Sequence, residues 1–167
     1  MLRNAVRLSC PRTIAQSADR EDTMDKKQVE QRAFDLFQGG FNCAEAVSTA
    51  IVEWYGAGGT PYTPKVATAF GGGVGGTKCE TCGALTGGVI ALGWLFGRTE
   101  QGADKQDVYA FATEFRNKFL DSFGSTHCKT ILDAFGKQEN LLECKRMTGA
   151  AAGILYDILM EEKKART

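Results

Sequence analysis

Charge of one sign, proline, secretory signals and long apolar runs are all missing or scarce in this chain, and each shortage removes a class of function. Twenty Lys and Arg balance twenty Asp and Glu, so the basic footprint of a nucleic-acid binder is absent. Three prolines exclude collagen-like and Pro-rich linker compositions. The uncharged segment from Cys82 to Gly97, sixteen residues, falls short of the roughly 20 needed to span a bilayer. The first 23 residues hold Arg3, Arg7, Arg12 and Arg20 without a seven-residue apolar run, which excludes a secretory signal and places the protein, as an expectation, in the cytoplasm. No alternating polar–apolar stretch marks a useful β-strand. What remains is an ordinary globular mix, 43% hydrophobic and 24% charged over 167 residues, enough chain for one domain with a real core.

Residues 1–23 read as a disordered leader or a mis-assigned start, since Met24 opens a polar helix-like stretch; an organelle transit segment and ordered structure are the alternatives. Residues 24–167 are then one helical domain. Val29, Ala33, Leu36 and Phe37 repeat at helical spacing before Gly39-Gly40. Asn42 caps the next helix, with Glu45 completing a capping box, and Val47, Ile51 and Trp54 continue it to Gly56. After the Gly58-Gly59 turn, Thr63-Pro64 starts a short helix ending at Gly71. Thr81 opens a buried central helix in which Gly83, Gly87 and Ala91, four residues apart, let another helix approach closely. Val108, Phe111, Ala112, Phe115 and Phe119 form the clearest amphipathic stripe, closed by Gly124. Ser125 or Thr126 caps the following helix, and Asn140 with Glu143 repeats the capping-box spacing before the last. The expected fold is an all-α bundle of six to seven helices, with a Gly-rich loop leading into the central one.

Six cysteines are too few for a disulfide-built mini-protein. Cys10 lies in the leader and is set aside. Four others, Cys43, Cys82, Cys128 and Cys144, each fall within the first four residues of an expected helix. A helix N-terminus carries partial positive charge and free N–H donors, so it favours thiolate and can lower a cysteine pKa from about 8.5 toward about 7 or below. Thiolates attack disulfides and ligate metals, and burial of a small apolar residue is the plain alternative. Cys79 and Cys82 form a Cys-x-x-Cys, in which one thiol attacks and the other resolves. The βαβ setting of thioredoxin is missing, and Leu85 stands where a helical peroxidase of the alkylhydroperoxidase-D type carries histidine. As a zinc site the motif is half complete, and a c-type haem motif is absent. His127 and Cys128, neighbours on a helix, point about 100° apart, so His127 reads as a solvent-facing histidine of the cap region. Residues 71–76 spell G-x-G-x-x-G without a preceding strand, so they read as a backbone that folds tightly over a cysteine-bearing helix start.

Asn42-Cys43-Ala44 after Gly40-Phe41, a Gly-rich loop into Thr81-Cys82-Gly83-Ala84-Leu85-Thr86-Gly87, then Cys128 and Cys144, together resemble the C_GCAxxG_C_C family of redox-active proteins. The resemblance spans roughly residues 27–160. It implies a small, mostly helical protein whose four hallmark cysteines are Cys43, Cys82, Cys128 and Cys144; Cys79 is an addition to that pattern.

Three functions are compatible with these residues. Thiol–disulfide exchange without a cofactor would use Cys82 with Cys79 or another of the four as resolving thiol, and a redox partner or small-molecule substrate. A metal site, zinc or an iron–sulfur cluster, would be held by Cys43, Cys82, Cys128 and Cys144. A non-catalytic helical interaction module would use the cysteines only for packing.

Overall fold

Asp25 and Asn42 open the first two helices in the same way. The computed structural model describes residues 24–56 and 62–165, so the leader reading, Cys10 and the Gly58-Gly59 turn lie outside the described residues. Helix α1 (Lys26–Gln38) is capped by Asp25, and α2 (Cys43–Tyr55) by Asn42; in each the residue at N3, Gln28 or Glu45, reaches back to the cap's N–H to close a capping box. Glycine ends both, Gly39 after α1 and the left-handed Gly56 after α2. A 3-10 helix (Pro64–Phe70) starts on its N1 proline under Thr63. Then follow α3 (Gly83–Phe96), α4 (Gln106–Phe123), α5 (Cys128–Phe135) and α6 (Leu142–Ala165). The described residues thus form an all-α assembly of seven helices, counting the 3-10 turn, with one isolated backbone bridge, Thr81 to His127. None of these helices is long and apolar enough to cross a membrane.

The centre of the bundle is α2, where ten of thirteen residues are buried. It packs on α1, α3, α6 and the 3-10 helix. The uncharged α3, read as a buried central helix, packs on α2, α4, α6 and the 3-10 helix and buries Ala84, Leu85, Ala91 and Leu92, while Val89 and Trp94 reach the surface. Apolarity on every side cannot indicate which side faces the neighbours; the small-residue stripe can. A Cβ at Gly87 would lie 2.8 Å from Ala44 Cα, and one at Gly83 would collide with Cys43 Sγ, so α3 meets the start of α2 through its bare face. Phe115 and Phe119 of α4 are fully buried, and a side chain at Gly88 would run into the Phe115 ring. Helix α6 lies along α1, joined at one end by Lys26–Asp157 at 2.6 Å and elsewhere by the Lys145 ammonium donating to Gln38 Oε1 at 2.8 Å.

Three helix starts differ from the sequence reading. Thr81 does not cap α3; Cys82 itself stands at the cap position without a side-chain cap bond, because Thr81 is held in the bridge to His127. Neither Ser125 nor Thr126 caps α5: His127 occupies that position, with its N–H donating to Ser125 Oγ at 3.0 Å. Asn140 does not close a capping box with Glu143. Asn140 and Leu141 both adopt left-handed backbone, φ 48° and 58°, and Gln138 supplies the cap instead.

Candidate functional site: a cavity lined by four cysteines

The bridge between Thr81 and His127 draws two distant cysteines side by side. Cys82 N–H donates to Thr126 O at 2.8 Å, and Cys128 N–H donates to Glu80 O at 2.9 Å. Two residues of pairing are too short to leave an alternation in the sequence, which is why this connection was not legible there. Cys43 is the first residue of α2, Cys128 the first of α5, and Cys144 the third of α6. Cys43, Cys82 and Cys128 are buried and Cys144 is half-buried; together they line a single cavity of about 350 Å³. Such a volume sits at the small end of small-molecule sites. Apolar walls come from Phe37, Ile131, Leu132, Leu141 and Met147.

The Gly-rich loop covers this cavity, with Gly71, Gly72, Gly75 and Gly76 in its lining. Gly73 is buried with φ +71°, and a Cβ there would stand 2.8 Å from Cys128 Cβ and 2.9 Å from Lys78 Cα. Only glycine satisfies both the left-handed backbone and that approach. The loop is tied by Lys78 N–H to Gly72 O at 2.8 Å and Thr77 Oγ1 to Gly73 O at 2.6 Å. Its other side rests on Asn42, whose amide Nδ2 donates to Thr68 O at 3.0 Å while its Oδ1 caps α2. The cap that the sequence revealed is therefore also a wall of the site.

All five described cysteines are free thiols. Cys79 is exposed and does not line the cavity. Its carbonyl accepts a 2.7 Å bond from His127 Nε2, which fixes the proton on that nitrogen because a carbonyl only accepts. His127 is exposed, as expected, and pins the Cys79 loop to the start of α5.

Thiol titration runs opposite to the sequence expectation. Burial pushes Cys82 up to about 12 and Cys128 up to about 11, and raises Cys43 and Cys144 as well. Helix-start N–H groups do face the sulfurs: Ala44 and Cys43 itself act on Cys43, Ala84 and Leu85 act on Cys82, and each lowers the pKa. Loss of water from the thiolate outweighs them. Neighbouring cysteines add to the rise. Cys43 and Cys128 raise Cys82, Cys43 and Cys144 raise Cys128, and Cys144 raises Cys43. Cys43 and Cys128 each interact in this way with all three of the other cavity sulfurs.

Gln138 and Lys78 went unnoticed in the sequence. Gln138 Oε1 accepts from Cys144 N–H at 3.0 Å and its Nε2 donates to Cys144 Sγ at 3.5 Å, holding that thiol at both ends and lowering its pKa. Lys78 lines the cavity and its charge lowers Cys128 and Cys144. Nothing local marks either residue, since their reach depends on left-handed turns at Lys78 and at Asn140-Leu141. Among the described residues no three Cys, His, Asp or Glu side chains are grouped so that they could hold a metal ion; the cysteines surround the cavity rather than meeting at one point.

Searches of curated proteins and of solved structures each return no match. Residues 41–158 match the family described as "Putative redox-active protein (C_GCAxxG_C_C)", a span that holds all four cavity cysteines and the loop above them. The chain belongs to the C_GCAxxG_C_C family.

Proposed function

We propose that the protein carries out thiol–disulfide exchange in the cysteine-lined cavity. The observation that carries this reading is that four cysteines far apart in sequence, from the starts of four helices, line one small cavity under a glycine loop. Cysteines that only packed would have no reason to share a hollow. In the exchange, two cavity thiols reduce a disulfide to two thiols and are themselves joined, a two-electron transfer with both protons passing to the product. Cys43 is the proposed common partner, because its sulfur lies against Gly83, the residue that follows Cys82, and like Cys128 it interacts with the other three cavity sulfurs. Buried, protonated thiols suit a reducing couple, since strongly oxidising dithiols are those whose reduced form is stabilised.

The test is a single turnover of the reduced full chain with a small disulfide, followed by mass-spectrometric mapping. Two product thiols per chain and a new bond joining two of Cys43, Cys82, Cys128 and Cys144 are expected, with both lost in Cys43→Ser. Four unreactive thiols in the folded protein contradict the reading, as does zinc or iron bound in protein purified without oxygen with the same four thiols protected by it.

A further inference from the structure

One charged residue, Lys78, lines the cavity, and it is open to solvent. Among the described residues it is the one charged member of the lining, and its exposed ammonium makes no hydrogen bond or ion pair with them, which leaves it available to a ligand. The backbone places it there at a cost. Lys78 is a non-glycine residue at φ +63°, a conformation disfavoured by about 1–2 kcal/mol, and it is held by its N–H bond to Gly72 O and by Gly73 packed beneath it. Strain of this kind persists where surrounding structure enforces it, commonly at ligand sites. Around the cation the walls are Phe37, Ile131, Leu132, Leu141 and Met147. A ligand matching both features has an apolar body and one anionic group.

We infer that the cavity takes a small organic disulfide bearing a carboxylate, with the anion held by Lys78 and the apolar body against the walls facing the cysteines. This rests on the exchange reading and adds the class of substrate. A cavity thiolate attacks one substrate sulfur; the substrate S–S bond breaks, a mixed disulfide forms, and the departing half leaves with the electron pair as a thiolate that takes up a proton. A second cavity thiol gives up its proton, attacks the protein-side sulfur and expels the other half. The protein dithiol is oxidised to a disulfide, and the substrate is reduced to two carboxylate-bearing thiols. Lys78 also stands near Cys128 and Cys144 and favours their thiolates, so the group that holds the anion also assists the attack.

The test uses the full chain carrying Cys10→Ser and Cys79→Ser, which leaves the four cavity thiols as its cysteines. At pH 8 the reduced protein meets 5,5′-dithiobis(2-nitrobenzoate), each half of which carries a carboxylate, or the neutral 2,2′-dithiodipyridine. The ratio of the two rates cancels any effect of Lys78 on thiol ionisation. That ratio is expected to fall about tenfold in Lys78→Met and to be kept in Lys78→Arg, which restores the charge. Benzoate, unreactive toward thiols, is expected to slow the neutral probe in the protein with Lys78 and not in Lys78→Met. Reaction with both probes at a ratio indifferent to residue 78, with no protection by benzoate, overturns the carboxylate inference and leaves the exchange reading standing. Failure of any cavity thiol to react with either probe overturns both.

Discussion

At each cavity sulfur two opposed effects compete, and their sizes decide the chemistry. Helix-start N–H groups favour thiolate, as the sequence indicated, but burial, which the sequence did not disclose, is larger at Cys82 and takes its pKa to about 12. The folded chain therefore keeps a proton on Cys82 that the unfolded chain releases above about pH 9. Folding binds the extra proton, so stability from this group is full below pH 9 and declines above it by up to about 1.4 kcal/mol per pH unit, until the folded pKa is reached. Denaturant unfolding of wild type and Cys82→Ala should show a stability gap that narrows from pH 7 to pH 10.5; a gap independent of pH would contradict the raised pKa. Gln138 acts in the other direction on Cys144. Gln138→Ala should move the alkylation profile of Cys144 to higher pH and slow its reaction with iodoacetamide at pH 8. An unshifted profile would reduce Gln138 to a backbone cap. Asn42 and Glu45 were legible in the sequence because a capping box is local. Gln138 was not, because two left-handed residues, Asn140 and Leu141, turn the chain back toward it.

At the scale of elements, the small-residue stripe on α3 was read correctly as a docking face, and it decides a conflict between propensity and packing. Alanine is ordinarily about 1 kcal/mol better than glycine inside a helix. At Gly87, however, a Cβ would stand 2.8 Å from Ala44 Cα and closer still to its carbonyl oxygen, and forcing α2 and α3 apart costs about 1–3 kcal/mol. Gly87→Ala should therefore lower the thermal midpoint and loosen the Cys43 end of the cavity; an unchanged or higher midpoint would mean the helices separate freely. The bridge between Thr81 and His127 has a comparable role on the other side. His127→Ala removes the bond to the Cys79 carbonyl and should speed alkylation of Cys79 while leaving the cavity thiols at their wild-type rates. Equal changes at Cys79 and Cys128 would instead show that the whole α5 start has moved. Periodicity found the helices, their glycine ends and the Phe115–Phe119 stripe. It misplaced the start of α5 and the cap of α6 because both are set by partners remote in sequence.

Across the whole molecule, the order of the helices is what turns four dispersed cysteines into one site. The 3-10 helix and glycine loop bring the chain back over Asn42, the bridge joins the starts of α3 and α5, and α6 brings Cys144 alongside. Helix starts singled out Cys43, Cys82, Cys128 and Cys144 in the sequence; their convergence on one cavity depends on contacts no spacing encodes, and Cys79, grouped with them by its Cys-x-x-Cys, stands outside the cavity. With thiolates disfavoured by burial, a cavity disulfide should be harder to reduce than one whose thiolates are stabilised. The most direct measurement equilibrates the full chain without oxygen in dithiothreitol redox buffers, then in glutathione buffers, traps the free thiols by alkylation and maps them by mass spectrometry. A two-electron transition joining two of Cys43, Cys82, Cys128 and Cys144, with a midpoint at or below about −270 mV, the value of thioredoxin, is the predicted result. All four remaining free at about −180 mV, where oxidising compartments form disulfides, would contradict the account.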